Sequence, residues 1–310
     1  MNDLIQPISK EVLKSELTPD KLLRKTNKAD NEIYVITAKN APNVMQEIGR
    51  LREMTFRTAG AGTGQSADVG TFDMIDACRQ LLVWNPEEEE IIGGYRFTYG
   101  NQVTLQENGQ PYMNTEHLFD FSEKFIKEYL PYTIEMARAW VQPKYQSAQM
   151  GRKSLFALDN LWDGIGALVA SGDVRYLAGK VTVYSTMPKP IRNAIFYYLE
   201  KFFGDKEKML VGKWPETFTP EEVSMYDAMF TGNGYQENYK ILNNYVKEHD
   251  EIIPPLIHSY IELSPTMKTF GTCLDKDFGD VYDTAMMITI ADVYPAKLER
   301  YVHSFKPSEK

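Results

Sequence analysis

The sequence predicts an α/β fold in three layers, a mixed and twisted central sheet flanked by helices, with a helical insertion late in the chain. Three observations lead there. Residues 133–203 read strand, loop, helix, strand, helix, the order that lays helices on a sheet. The first hundred residues pair an amphipathic helix with a hairpin of β-branched segments. From Lys206 to Val246 the strand pattern lapses and two helical stretches take its place.

In chain order, residues 1–30 read as a polar arm with one short helix, and Asn31 to Lys39 (NEIYVITAK) alternates as a first strand. Asn40 is placed to cap the next element. From Pro42 to Arg57, Val44, Ile48, Leu51 and Met54 recur at helical spacing, with the proline suited to a first turn. The stretch Ala59 to Gly70 (AGAGTGQSADVG) breaks that helix. Strands near Arg79 to Trp84 and Glu90 to Tyr99 flank an acidic turn and form a hairpin. Thr133 to Val141 is a buried strand, and a loop from Pro143 to Lys153 leads into a helix over Ser154 to Ala170. Arg175 to Tyr184 is a strand and Pro190 to Phe203 a helix. In the insertion the helices are Thr219 to Met229 and Glu237 to Val246. Ile253 to Leu263 is a helix opened by two prolines, and strands near Lys268 to Cys273 and Tyr282 to Ile290 close the chain.

Composition narrows the function. The chain has 310 residues, 43% hydrophobic, enough to bury one large core or two modest ones without disulfides or metals. A formal charge of −9 argues against nucleic acid, which needs clustered lysine and arginine. Cys78 and Cys273 lie in apolar surroundings, and His117, His249, His258 and His303 show no ligand spacing, so no metal is expected. The N-terminal residues lack a cationic stretch followed by an apolar run, and no 18 apolar residues are consecutive. A cytoplasmic protein is expected, with at most peripheral contact at the inner face of a membrane.

Gly60, Gly62 and Gly64 invite comparison with a phosphate cradle, but their order is helix, loop, strand, so the stretch is expected to be a connector or a mobile lid. Val141 to Leu155 (VQPKYQSAQMGRKSL) has the opposite order, strand, loop, helix. Amides at that helix start, with Gln146, Gln149, Gly151, Arg152 and Lys153, would hold a phosphate; the alternative is a plain loop with a basic helix start.

Here a family enters. Glu135 to Gln146 (EMARAWVQPKYQ), Leu155 to Ile165 (LFALDNLWDGI), Tyr176 to Val181 (YLAGKV), Pro254-Pro255-Leu256 with Tyr260, and Asp275 to Gly279 with Asp283 resemble the acyl-carrier-dependent N-acyltransferases of the GNAT superfamily. That group includes the ornithine-lipid and glycine-lipid synthases and is often labelled hemolysin-like. The likeness covers residues 45–305 and implies a GNAT-like domain over 31–305, with its insertion at about 206–250, behind an arm over 1–30. More distantly the chain is similar to acyl-homoserine-lactone synthases: Arg52 and Phe56 match Arg-x3-Phe, Asp73 and Asp76 match Asp-x2-Asp, Arg96 a strand arginine, and Glu135 with Arg138 Glu-x2-Arg. Gly62 stands where those enzymes have a tryptophan.

The resemblance implies transfer of a long (3-hydroxy)acyl chain from acyl carrier protein, or from acyl-CoA, to the amine of a small amino acid, as a first step of aminolipid synthesis. It implies a backbone amide near Ala139 to Val141 for the thioester carbonyl and a phosphopantetheine site from Val141 to Lys153. Glu135 is the preferred base, Arg96 or Arg138 suits an acceptor carboxylate, and Tyr184 could protonate the thiolate or be a core residue with a wet hydroxyl. The same charges also suit a structural ion-pair network. An acidic carrier protein calls for a local basic face, for which Lys144, Arg152, Lys153, Lys189, Arg192 and Lys201 are the candidates. No Gly-x-Ser-x-Gly occurs, which favours direct transfer over an acyl-enzyme. A signal-making acyltransferase and a non-catalytic acyl-carrier or membrane-binding module are the alternatives.

Overall fold

The computed structural model describes residues 1–146 and 152–306, with the side chains of 152–155 excepted. Ten strands occur along the described chain: β1 (Leu22–Lys25), β2 (Glu32–Ile36), β3 (Cys78–Asn85), β4 (Glu90–Tyr99), β5 (Phe119–Phe121), β6 (Thr133–Val141), β7 (Tyr176–Val183), β8 (Leu210–Gly212), β9 (Lys268–Asp275) and β10 (Val281–Thr289). The helices are α1 (Lys10–Glu16), α2 (Pro42–Thr58), α3 (Pro143–Gln146), α4 (Arg152–Ala170), α5 (Lys189–Phe203), α6 (Pro220–Met229), α7 (Gly234–Glu248), α8 (Pro255–Ile261) and α9 (Pro295–Leu298). None is long and apolar enough to cross a membrane among the described residues.

The α/β architecture expected from the sequence is present, and the chain divides into two compact units. The first comprises Met1–Val103, Pro131–Arg175 and Tyr294–Lys310. Its strands run in the order β1-β2-β3-β4-β6, each antiparallel to its neighbour. Consecutive residues of β3 show how the layers form, because side chains alternate across a strand. Gln80 meets Arg52 of α2 on one face, while Leu81 lies under Gly164 of α4, where an added Cβ would sit 2.7 Å from Leu81 Cδ1. Helices therefore cover both faces, and Ile33, Leu81, Leu82, Ile134 and Ile165 fill the space at 2% exposure or less.

Two local devices in this unit differ from the sequence reading. Asn40 does not cap α2; its Oδ1 accepts from Thr37 N at 2.9 Å and closes the turn before the helix. The carboxylate of Glu16, at the end of α1, takes the capping role by accepting from Asn43 N and Val44 N. Residues 22–25, expected within the arm, pair with β2 as β1.

The second unit comprises Thr104–Leu130 and Tyr176–Val293. Its sheet runs β7-β10-β9, antiparallel throughout, and β5 pairs with β8 in a separate ribbon. The insertion carries α6 and α7, as expected. α6 starts on a capping box, with Thr219 and Glu222 exchanging hydrogen bonds. Both helices are tied to α5 through buried tyrosines, Tyr226 Oη donating to Pro190 O and Tyr198 Oη to Tyr235 O, each at 2.9 Å.

Candidate active site

The first unit holds a buried charge cluster on the α2 face of its sheet. β3, β4 and β6 pair so that Gln80 faces Arg96 and Arg96 faces Ala137 across the ladder; one step along, Cys78 faces Thr98 and Thr98 faces Glu135. Directly opposed residues share a face. Gln80, Arg96, Cys78, Thr98 and Glu135 therefore present one surface toward α2, and all five are buried.

Arg52 comes down onto this surface from α2 and is fully buried. Its Nε donates to Asp68 Oδ2 at 3.0 Å, Nη1 and Nη2 donate to the two carboxylate oxygens of Asp73 at 3.1 and 3.0 Å, and Nη2 also donates to Asp68 O. Asp73 is shared: Arg96 Nη1 donates to its Oδ2 at 3.5 Å, Gln80 Nε2 to its Oδ1 at 2.9 Å and Gly70 N to Oδ2 at 2.9 Å. Asp68 is shared in turn with Arg138, whose Nε lies 3.0 Å from Oδ2. Three guanidinium groups thus converge on two aspartates. Side-chain exposure grades across them, 0% for Arg52, 4% for Arg96 and 20% for Arg138, so Arg138 stands nearest solvent.

Burial alone would raise both aspartates, but Arg52, with Arg138 beside Asp68 and Arg96 beside Asp73, outweighs it and holds both carboxyls below the usual range. The stability this supplies is fully present above the unfolded-state value and disappears as pH falls through the folded one. The urea midpoint is accordingly expected to fall as pH is lowered below about 4, a limb that an Asp73→Asn variant flattens. Arg138 shifts the other way: burial lowers it and the charges of Arg96 and Arg52 add to that, against Asp68.

β6 carries a bulge beside this cluster. Gly94 opposes Trp140 and Arg96 opposes Ala137, so the single residue Tyr95 faces two, Arg138 and Ala139. Arg138 takes φ +49°, the left-handed region that a non-glycine residue rarely adopts, and the bulge accommodates it there. Just beyond, Gly93 is required by close approach, since a Cβ would lie 2.4 Å from Trp140 O.

Several expected residues lie elsewhere. Asp76 is not in the cluster. The short helical turn over Thr71–Met74 turns Asp73 inward and leaves Asp76 outside, 81% exposed and 3.6 Å from Lys39. Asp68 takes the second acidic place, which the sequence reading missed. The stretch from 59 to 70 does connect helix to strand as expected, but its backbone is fastened to α2 and it supplies Asp68. Phe56 is buried on α2. Gln146, in α3, donates from Nε2 back to Val141 O. Gln149 and Gly151 lie outside the described residues, as do the side chains of Arg152 and Lys153.

The four described cations expected to form a basic face each have a partner. Lys144 pairs with Glu90 at 2.5 Å, Lys189 with Glu222 at 3.6 Å and Lys201 with Asp227 at 2.5 Å, while Arg192 donates to Tyr282 Oη at 2.9 Å. Tyr184, in the second unit, follows the last residue of β7, and burial, then the charge of Asp283, raises its phenol. Burial likewise raises both thiols, Cys78 and Cys273, which makes them poor nucleophiles. A cavity of about 360 Å³, lined by Tyr99, Tyr132, Thr133 and Asp173 among others, sits at the start of β6, and no residue of the charge cluster lines it.

Residues 51–154, which contain the whole cluster, match the Acetyltransferase (GNAT) domain family. A glycine N(alpha)-acyltransferase of Phocaeicola vulgatus is 48% identical over 98% of this chain and 94% of its own length. One from Bacteroides thetaiotaomicron is 47% identical over 98% of this chain and 91% of its own. Among solved structures, an N-acyl amino acid synthase from uncultured soil microbes is 8% identical with a TM-score of 0.39, covering 89% of this chain and 98% of its own.

Proposed function

The chain belongs to the glycine N(alpha)-acyltransferase family and carries its GNAT domain, and from that premise we propose that it moves a long acyl chain from a phosphopantetheine thioester onto the amine of glycine. It is an acyltransferase acting on an amino acid. The thioester is that of acyl carrier protein or coenzyme A, and a 3-hydroxyacyl chain would leave the product a hydroxyl for a second acylation toward an aminolipid.

One observation carries the acceptor side of this reading. Arg96 is 4% exposed, yet its Nη2 has no hydrogen-bond partner among the described residues. A buried guanidinium nitrogen without an acceptor costs free energy, so the space beside it suits an acceptor brought by a ligand, and an anion suits a guanidinium best. Its neighbours Arg52 and Arg138 already engage Asp73 and Asp68. The carboxylate of an amino acid supplies the anion and matches the planar fork.

The remaining steps follow from the chemistry of amide formation. Glu135, buried on the same face as Arg96 and Thr98, takes a proton from the ammonium group so that the amine can attack. Nitrogen adds to the thioester carbonyl carbon, and backbone N–H groups of Ala139 to Val141, beside the bulge, stabilise the oxyanion. The nitrogen gives up its second proton, the carbon–sulfur bond breaks and the departing thiolate takes a proton, which leaves a neutral amide, a free thiol and one proton released overall. Gln146, Gln149, Gly151, Arg152 and Lys153 are proposed to hold the phosphopantetheine end. With both thiols buried and raised, transfer is direct.

The test is to supply the purified protein with long-chain acyl carrier protein or acyl-CoA and a pool of amino acids, and to follow products by mass spectrometry. N-acylglycine is expected, and Glu135→Gln, with an unchanged circular dichroism spectrum, is expected to lose about 10²–10⁴-fold in kcat. No product from either donor overturns the reading.

A further inference from the structure

The amino-acid half of the site depends on a loop that is fastened from both sides. Glu53, on α2 and fully buried, accepts from Thr63 N at 3.0 Å, Thr63 Oγ1 at 2.8 Å, Gly64 N at 2.7 Å and Arg57 Nε at 2.8 Å. One carboxylate thus gathers four donors, three of them from two consecutive loop residues. Gly62 makes the approach feasible: it sits at φ +107°, and an added Cβ would lie 3.1 Å from Glu53 Oε1.

The outer side of the loop is held by the N-terminal arm. Asn2 N donates to Gly64 O at 2.8 Å and Ile5 N to Ser66 O at 3.0 Å. Arg57 joins the layers, its Nη1 donating to Asn2 O at 2.7 Å and its Nη2 to Gln65 O at 2.5 Å. Beyond the loop, Asp68 N donates to Gly49 O at 2.9 Å, so the chain enters the charge cluster already attached to α2.

We infer that Glu53 and Arg57 are positioning residues for the acceptor: with the N-terminal arm they form a clasp that sets Asp68, and through Asp68 the direction of Arg138 and the shape of the amino-acid site. Neither residue touches the acceptor. Asp68 reaches Arg52 and Arg138 only while residues 63–68 lie flat on α2, because its carboxylate and its own carbonyl oxygen both bond into the cluster. Opening the clasp lets Asp68 move, and Arg138 then loses the partner that directs it. Glu53 and Arg57 bond to one another and to Asn2, Thr63, Gly64 and Gln65, none of which belongs to the 141–153 stretch proposed for the thioester donor, so the effect falls on the amino acid. The inference rests on the acceptor site proposed above.

Two full-length variants test it, Glu53→Gln, which keeps the shape but loses the charge, and Arg57→Gln, which lies nearer the surface and leaves Glu53 in place. In each, KM for glycine is expected to rise about tenfold with KM for the acyl donor unchanged, since only acceptor positioning is lost. Hydrogen exchange across residues 60–70 is expected to quicken, and Glu53→Asp to restore part of the glycine KM. Equal rises in both KM values, or faster exchange with an unchanged glycine KM, would show a merely structural contact and overturn the inference. Failure of the wild type to acylate glycine refutes the acceptor assignment instead; unchanged 60–70 exchange in both variants then still overturns the clasp.

Discussion

Arg52→Met is expected to destabilise the protein by about 3–5 kcal/mol, measured as a fall in the urea midpoint, because it removes one side of a buried ionic cluster and leaves the other. Arg52 is fully buried, and its five donor hydrogens are aimed at Asp68, Asp73 and Gln80. Methionine fills part of the volume and none of the charge. Asp68 keeps Arg138, and Asp73 keeps Gln80 and Gly70 as neutral donors, which limits the loss, but the cation left to Asp73 is Arg96 at 3.5 Å. A double-variant cycle gives the sharper result. Asp73→Asn keeps the side chain's shape while removing its charge, so Arg52→Met with Asp73→Asn is expected to cost less than the sum of the single changes. Additive losses would mean that the Arg52–Asp73 pair contributes no coupling and that the cost arises from Asp68 and packing.

Much of this fold is legible in the sequence because its main strands and helices carry their own periodicity. The β-branched alternation of 31–39 and the apolar spacing of 42–57 each predict an element that the structure contains within a few residues. The short strands β1, β5 and β8 are not legible: three or four residues hold too few alternations to set a period, and their pairing comes from tertiary context. The cluster is legible in part. Arg52, Asp73, Arg96 and Arg138 meet as the motif spacings suggest, whereas Asp76 shares Asp73's motif but is turned to solvent. Asp68 lies in a glycine-rich stretch with no periodicity. Charge balance was the signal available for it, because three arginines placed in apolar surroundings need more than one buried acid.

Arg96→Gln is expected to reduce kcat/KM for glycine by roughly 10²–10³-fold while leaving kcat/KM for glycinamide near its wild-type value. The two substrates differ in the group that the orphaned Nη2 is proposed to receive. In the wild type, glycinamide offers the guanidinium one neutral carbonyl oxygen in place of two charged ones and turns an NH2 donor toward it, so it is a poor acceptor. Glutamine at position 96 removes the excess charge, and the preference for a carboxylate disappears. The ratio between the substrates is therefore the informative quantity, because a general loosening of the cluster lowers both rates together. Asp73 retains Arg52, Gln80 and Gly70 as donors in this variant, which keeps the stability cost well below that of Arg52→Met. If Arg96→Gln keeps the wild-type glycine-to-glycinamide ratio, the carboxylate is not held by Arg96, and Arg138, the most exposed of the three, takes that role.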